Sequence, residues 1–382
     1  MENELLEETG YVGDIPEGWK WVKLGDLVEI IKGKKPENLI ENPSKNTLPY
    51  LTAEYLRYKT PNQFVDIEKE KKLPVCEKDD IILIWDGSQA GQVFTGSKGI
   101  LASTMVKIIP NLDIVNKAYL YFFLTTKFEY LNTQTTGSAI PHVNKNAFLN
   151  LPIPLPPLPE QKAIADVLSS IDDKIELLHR QNKTLEEMAM TLFRQWFIEP
   201  TKDGLSYGWE EVSLGELIEI SSGKSIEKAK LKEKGLYPVL GANGEIGRTD
   251  NWLYEGELIY TGRVGTLGNV FMVFKNEKVW LTDNTLVIKP KKNEYFYFVY
   301  FTLKNAKLDE YNSGSTQPLI RQSDIKKIEI FLPKINSLRD FEIISRNIFT
   351  KIQFNKIQIQ TLEKLRDTLL PKLINGEIRV KI

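Results

Sequence analysis

The chain has 382 residues, 42% hydrophobic and 26% charged, with 50 Lys and Arg against 51 Asp and Glu. That composition excludes a disordered chain and is long enough for two separate cores, while the near-neutral balance means that any surface for a polyanion must be local. One cysteine, Cys76, excludes an internal disulfide, and with only His142 and His179 there is no Cys/His spacing for a structural metal.

Along the chain, the opening MENELLEETG carries four Glu and no basic residue, unlike the positive start of a secretory signal. No apolar run approaches the roughly 20 residues that span a bilayer. A cytoplasmic protein with no membrane partner is expected. Short helical patterns at Leu24–Ile31 and Asn116–Phe128 alternate with β-branched runs at Ile81–Trp85 and Thr104–Ile109. Five prolines from Pro152 to Pro159 force an extended segment. A long helix follows, with Ile164, Leu168, Ile171, Ile175, Leu178, Asn182, Leu185, Ala189, Leu192 and Trp196 at the alternating four and three spacing of a coiled-coil seam. After Glu199–Tyr207 come further strand patterns at Leu258–Tyr260 and Leu286–Ile288, then Pro333. The last helix has its seam at Phe341, Ser345, Ile348, Ile352, Asn355, Ile359, Leu362, Arg366, Leu369 and Leu373.

The chain repeats itself. GWKWVKLGDLVEI (Gly18–Ile30) returns as GWEEVSLGELIEI (Gly208–Ile220), and Gly33-Lys34 as Gly223-Lys224. At a shift of 177, Asp80–Phe94 matches Glu257–Phe271, Gly137–Phe148 matches Gly314–Ile325, and Thr184-Leu185-Glu186 matches Thr361-Leu362-Glu363. Only the stretches after Lys34 and Lys224 need gaps in this alignment. The fold class expected is α+β: two similar mixed α/β domains separated by two long helices in an antiparallel coiled coil, with pseudo-twofold symmetry. The boundaries read as 1–157, the central helix 158–198, 199–333, and the C-terminal helix and tail 334–382.

From Glu160 to Phe197 the helix carries seven acidic and five basic residues, and from Lys334 to Leu373 eight basic and four acidic, so opposite charge favours pairing. Facing Asn182 with Asn355 sets the register, because each amide occupies a core position and the two can satisfy one another. That register puts Trp196 near Phe341 and Arg366 opposite Ile171, with its guanidinium reaching Asp172 or water. Pseudo-twofold symmetry also makes the tail INGEIRVKI a neighbour of the first domain, with Gly18 close to Ile378.

Motifs for catalysis are missing parts. Gly223-Lys224-Ser225 has Ile218 where a phosphate loop needs glycine. Gly241-Gly244-Gly247 and Gly262-Gly265-Gly268 read as tight turns between strands. There is no Asn-Pro-Pro or Asp-Pro-Pro of a DNA methyltransferase. No catalytic residue and no metal ligand is expected, and His179 reads as a surface residue of the first helix.

GWKWVKLGDLVEIIKGKKP, LPIPLPPLPEQKAIADVLSSIDDKIELLHRQNKTLEEM, GWEEVSLGELIEISSGK and LRDTLLPKLINGEIRV, in that order, resemble type I restriction-modification specificity subunits over nearly the whole chain. In that family the globular units are target recognition domains, each reading half of a bipartite site, and the helices dock the modification subunits. The resemblance implies a non-catalytic DNA-recognition subunit partnered by double-stranded DNA, two methyltransferase subunits and restriction/translocase subunits. It implies no cofactor on this chain, with S-adenosylmethionine, ATP and Mg on the partners.

Base edges are matched chiefly by Arg, Lys, Asn and Gln, and phosphates by Ser, Thr and backbone N–H groups. Loop candidates in the first domain are Lys32, Lys34, Lys35, Tyr55, Arg57, Tyr58, Lys59, Ser88, Gln89, Ser138, His142, Asn144 and Lys145. In the second they are Lys224, Asn243, Arg248, Arg263, Thr266, Ser315, Gln317, Arg321 and Gln322. Arg57-Tyr58-Lys59 and Asn243 with Arg248 differ between the copies and fit base readout; Gly137-Ser138 and Gly314-Ser315 repeat and fit backbone contact. A second class stays open: a two-domain coiled-coil scaffold that binds protein and never contacts DNA, favoured by the low net charge.

Overall fold

A computed structural model describes residues 15–137, 140–202, 204, 207–314 and 317–381. The chain forms two compact units, one from Met1–Leu177 with Gln358–Ile382 and the other from Leu178–Ile357.

The first unit holds β1 (Lys20–Lys23), β2 (Val28–Lys32), β3 (Thr47–Leu51), α1 (Ala53–Tyr58), β4 (Phe64–Asp66), β5 (Val75–Cys76), β6 (Ile81–Ile84), β7 (Val93–Phe94), β8 (Gly99–Leu101) and β9 (Met105–Pro110). Then come α2 (Lys117–Thr125), α3 (Phe128–Thr133), α4 (Lys145–Leu149), β10 (Pro152–Leu155) and the start of α5 (Leu158–Phe193). Entry and exit strands β1 and β10 pair antiparallel, and the other strands form sheets β2-β9-β6-β7 and β4-β3-β8-β5. The run Ile81-Ile82-Leu83-Ile84 is wholly apolar because its sheet is covered on both faces. Ile81 and Leu83 enter the core beneath α2, and Ile82 and Ile84 the core shared with Leu51 and Ile100.

Leu24–Ile31 is not a helix. Leu24–Asp26 makes one 3-10 turn and Val28–Lys32 is a strand paired to β9. Three β-branched residues in four, Val28, Ile30 and Ile31, stiffen the backbone toward the extended form, and ladder pairing outweighs the helix-like spacing.

In the second unit the strands are β11 (Glu210–Ser213), β12 (Ile218–Ser222), β13 (Tyr237–Gly241), β14 (Gly244–Thr249), β15 (Tyr254–Glu255), β16 (Leu258–Gly262), β17 (Val270–Val273), β18 (Lys278–Leu281), β19 (Thr285–Pro290) and β20 (Glu329–Leu332). Its helices are α6 (Leu214–Leu217), begun by a Ser213/Glu216 capping box, α7 (Phe296–Asn305), α8 (Gln322–Lys326) and most of α9 (Ile335–Ile374). Every pairing recurs: β11 with β20, sheet β12-β19-β16-β17, and sheet β14-β13-β18-β15.

The ladders correct the sequence alignment by one residue. At a shift of 177 Ile82 would match Ile259, yet it is Ile81 that pairs with Ile108 as Ile259 does with Ile288, and both point to the helix-side core. A one-residue slip reverses every side chain of a strand, so the cores decide the match. The slack is in the turn that follows: Gly87 donates to Pro141 O at 2.7 Å and Gly265 to Pro318 O at 3.0 Å, but one residue fewer separates Gly265 from Gly268 than Gly87 from Gly91. A further gap lies before β9 and β19, where Lys278–Leu281 and its flanks are longer than their counterpart around Gly99–Leu101.

Within each unit a stretch of α5 runs antiparallel to a stretch of α9. In the first unit Arg366 Nη1 donates to Asp172 Oδ1 at 2.9 Å, and beyond the helix Arg379 donates to Glu160 at 2.8 and 2.9 Å. Glu160 also accepts from Trp19 Nε1 at 3.1 Å, and the Arg379 guanidinium holds its carboxyl below the usual range. The tail thus lies on the start of β1's approach: a Cβ on Gly376 would stand 2.4 Å from Pro16 Cγ. In the second unit Asn355 Nδ2 donates to Asn182 Oδ1 and to Gln181 Oε1, both at 2.8 Å.

Past Ala189 the seam leaves the sequence pattern. Phe193 and Phe197 are buried, at successive steps of four from Ala189, and Leu192 and Trp196 are half-buried; Arg194–Ile198 forms a π turn. Phe193 centres an aromatic cluster, 5.6 Å from Phe301, 6.0 Å from Phe298 and 6.1 Å from Phe341. Trp196 remains 6.1 Å from Phe341.

Candidate nucleic-acid interface

In the first unit three segments meet at one edge of the sheets: the end of β2, the β6–β7 turn, and residues before α4. Lys32 Nζ pairs with Asp86 at 2.8 Å, the Asp86 backbone bridges to His142, and Trp85 O accepts from Val143 N at 2.9 Å. Lys32, Ser88, Gln89 and His142 therefore share this edge, with Ser88, Gln89 and His142 exposed. His142 Nδ1 lies 3.1 Å from Ile140 O. Asn144 Oδ1 accepts from Asn146 N and Ala147 N, so its side chain caps α4, and Lys145 beside it is exposed. Ser138 lies outside the described residues, as does Ser315 of the second unit.

Glycine decides where the basic loop after β2 goes. Gly33 N donates to Met105 O at 2.9 Å, and a Cβ there would sit 1.9 Å from Ala102 O; at Gly223 the figures are 3.1 Å to Thr285 O and 2.2 Å from Thr282 O. Only glycine lets the backbone lie this close to its neighbour, which is why Gly-Lys recurs. Exposed Lys34 and Lys35 follow one glycine and exposed Lys224 the other. Gly223→Ala should push this loop off the strand and lower stability by about 1–3 kcal/mol. Thermal unfolding would show it, and an unchanged midpoint would refute the close approach.

Between β3 and β4 the first unit inserts α1, where the second turns directly from β13 to β14. On α1 Tyr55 is half-buried, Tyr58 is 73% exposed, and Arg57 donates to Gln92 Oε1 at 2.7 and 3.2 Å. Lys59 ends the helix at φ 55° and, though exposed as a residue, donates to Ser97 Oγ at 2.7 Å; partial burial of its ammonium lowers its pKa. On the second unit's turn, exposed Asn243 accepts from Asn269 Nδ2 at 2.8 Å. Gln92 and Asn269 occupy the same place just before β7 and β17, so one amide position steadies two unlike elements. Sequence reasoning passed over both, although GQVF against GNVF carries the signal.

Arg248 is spent on structure: its guanidinium donates to Gly235 O, Leu236 O and Glu245, fixing the loop before β13. Gln322 lies 3.2 Å from Ser222 Oγ. Thr266, Gln317 and Arg321 are exposed and Arg263 is half-buried. Asp86, which neutralises Lys32, is a third residue the sequence reading did not single out.

Two copies of one sheet-and-helix module, each ending in loops rich in basic and amide side chains, define a duplicated recognition protein. The family model of the type I restriction modification DNA specificity domain matches residues 16–187 and again 207–364, and the chain belongs to that family. It is similar to the specificity subunit of type I restriction enzyme MjaVIII of Methanocaldococcus jannaschii, 30% identical over 421 residues covering 96% of this chain and 94% of that one. The MjaIX specificity subunit of the same organism is 28% identical, covering 100% of this chain and 98% of its own. Among solved structures, the type I S subunit from M. genitalium superposes with a TM-score of 0.64 at 20% identity, covering 96% of this chain and 98% of that one. No helix among the described residues is long and apolar enough to cross a membrane.

Proposed function

We propose that this chain supplies sequence choice to a type I restriction-modification complex by reading a bipartite double-stranded DNA target, one half per unit. The observation that carries this is the pairing-for-pairing duplication of the sheets with unlike side chains at matching loop positions: Lys32, Asp86 and His142 in one unit stand where Ser222, Val264 and Leu319 stand in the other. A common scaffold with different edges suits two different half-sites, since base contacts specify while the scaffold positions. Two methyltransferase subunits dock on the helices and restriction/translocase subunits join them. S-adenosylmethionine, ATP and Mg belong to those partners, and this chain turns nothing over.

Mapping methylated adenines in a host that carries the whole system tests the reading. A two-part motif is expected, and replacing residues 1–157 with those of a homologue should change one half alone. A change in both halves would overturn the modular reading, and methylation unaffected by any exchange would favour a scaffold that never reads DNA. Because the net charge is −1, specific binding by the isolated chain should be weak at physiological salt and strengthen with methyltransferase subunits.

A further inference from the structure

We infer that Arg263 reads a guanine in the half-site of the second unit, and that Arg321 beside it holds a backbone phosphate. The inference rests on the DNA-reading function proposed above and adds which residue reads and what it reads.

Arg263 follows directly on β16, and its backbone is held from both sides: its N–H donates to Asn284 O at 2.8 Å and its carbonyl accepts from Ile320 N at 2.9 Å. The next two residues are pinned as well, Val264 by a bridge to Leu319 and Gly265 by Pro318 O at 3.0 Å. The side chain therefore starts from a fixed point. Neither Arg263 nor Arg321 has a carboxylate within ion-pair distance among the described residues; of the other arginines of this unit Arg248, Arg339 and Arg346 are paired, while Arg194, also without an ion pair, is exposed on the turn that ends α5. A half-buried arginine left without a counter-charge on a rigid backbone is poised for an acceptor that arrives from outside.

The first unit shows what these positions do when they serve structure instead. Trp85 has the same backbone partners, Thr104 O and Val143 N, and its ring packs edge-on to Phe148 at 5.7 Å. Asn144, the counterpart of Arg321, caps α4. A packed ring and a helix cap in one unit are two arginines in the other, and neither arginine takes over the packing or the cap.

The chemistry separates the two arginines. A fork of N–H donors on a fixed stem matches O6 and N7 of guanine in the major groove, a contact that discriminates against other bases. Arg321 is exposed, at the mouth of the same edge, and suits the less directional task of neutralising a phosphate.

The test uses the full chain assembled with its methyltransferase subunits, and duplexes carrying the mapped target with each base pair replaced in turn. With Arg263→Ala or Arg263→Lys, the preference for one G·C pair in one half-site should fall roughly tenfold or more, the other half keeping its pattern. Arg321→Ala should weaken all duplexes alike and reduce the salt dependence by about one phosphate contact. Equal weakening on every sequence by Arg263→Ala, an unchanged profile, or a second half-site without any G·C pair would each overturn the inference. Wild-type complex that shows no sequence preference would instead overturn the function on which it rests.

Discussion

Phe193→Ala is expected to cost the second unit about 3–5 kcal/mol, the range for emptying a buried aromatic position. Phe193 is 1% exposed and its ring touches those of Phe197, Phe298, Phe301 and Phe341, so no neighbour is free to fill the space. Hydrogen exchange under native conditions would localise the loss. Amides of β16 and β19 should lose protection while those of β6 and β9 keep theirs. Phe193→Leu, which retains most of the volume, should cost far less; equal losses would mean that the ring contacts are not what holds the site.

Arg346→Ala should have a large effect with a distinctive pH dependence. Arg346 donates to both carboxylate oxygens of Glu257, at 3.0 and 3.1 Å, and to Glu342 Oε1 at 2.6 Å. Glu342 is 8% exposed, and burial raises its pKa despite the Tyr297 N–H and Arg346. A carboxyl whose folded pKa is raised contributes most at low pH, and that contribution is lost as pH rises through the raised value. Without Arg346 the charged form is worse still. The variant should lose about 2 kcal/mol near neutral pH, less than a fully buried pair would because the Arg346 side chain is 39% exposed, and approach the wild type in acid. Urea unfolding at a series of pH values measures this, and a pH-independent deficit would assign the loss to packing over the Tyr297 ring instead.

Much of the fold was legible because two periodicities were strong. The four-three spacing located both helices, and the one layer polar on both sides put Asn182 against Asn355, whose amides are bonded. The spacing failed past Ala189, where two adjacent apolar residues, Leu192 and Phe193, both fit a helix face and the π turn that follows has no signature in a pattern built on 3.6 residues per turn. Val28–Lys32 was misread because five residues with half-exposed alternation satisfy helix and strand alike, and only the partner strand β9 settles the matter. The one-residue slip near Gly87 was equally invisible: two glycine-rich turns align well at either register until a core requires one face. At the interface, residue type identified basic and amide loops but not their engagement. Arg248 and Lys59 looked like readers and are tied to the protein itself, while Arg263 stands out only once its backbone clamps and missing partner are known.

The first unit takes Gln358–Ile382 into its own body, with Leu373 and Ile374 buried in the core beneath α2 and Val380 packed on it. The second unit is one uninterrupted segment, Leu178–Ile357. During synthesis, therefore, the usual order of maturation is inverted: the domain translated later can finish folding while the one translated first still waits. Its sheets are complete long before, but a flank of its core stays open to water until residues 369–380 have cleared the ribosome. For that interval the newborn chain carries an unfinished apolar surface, the state in which a chaperone would hold it.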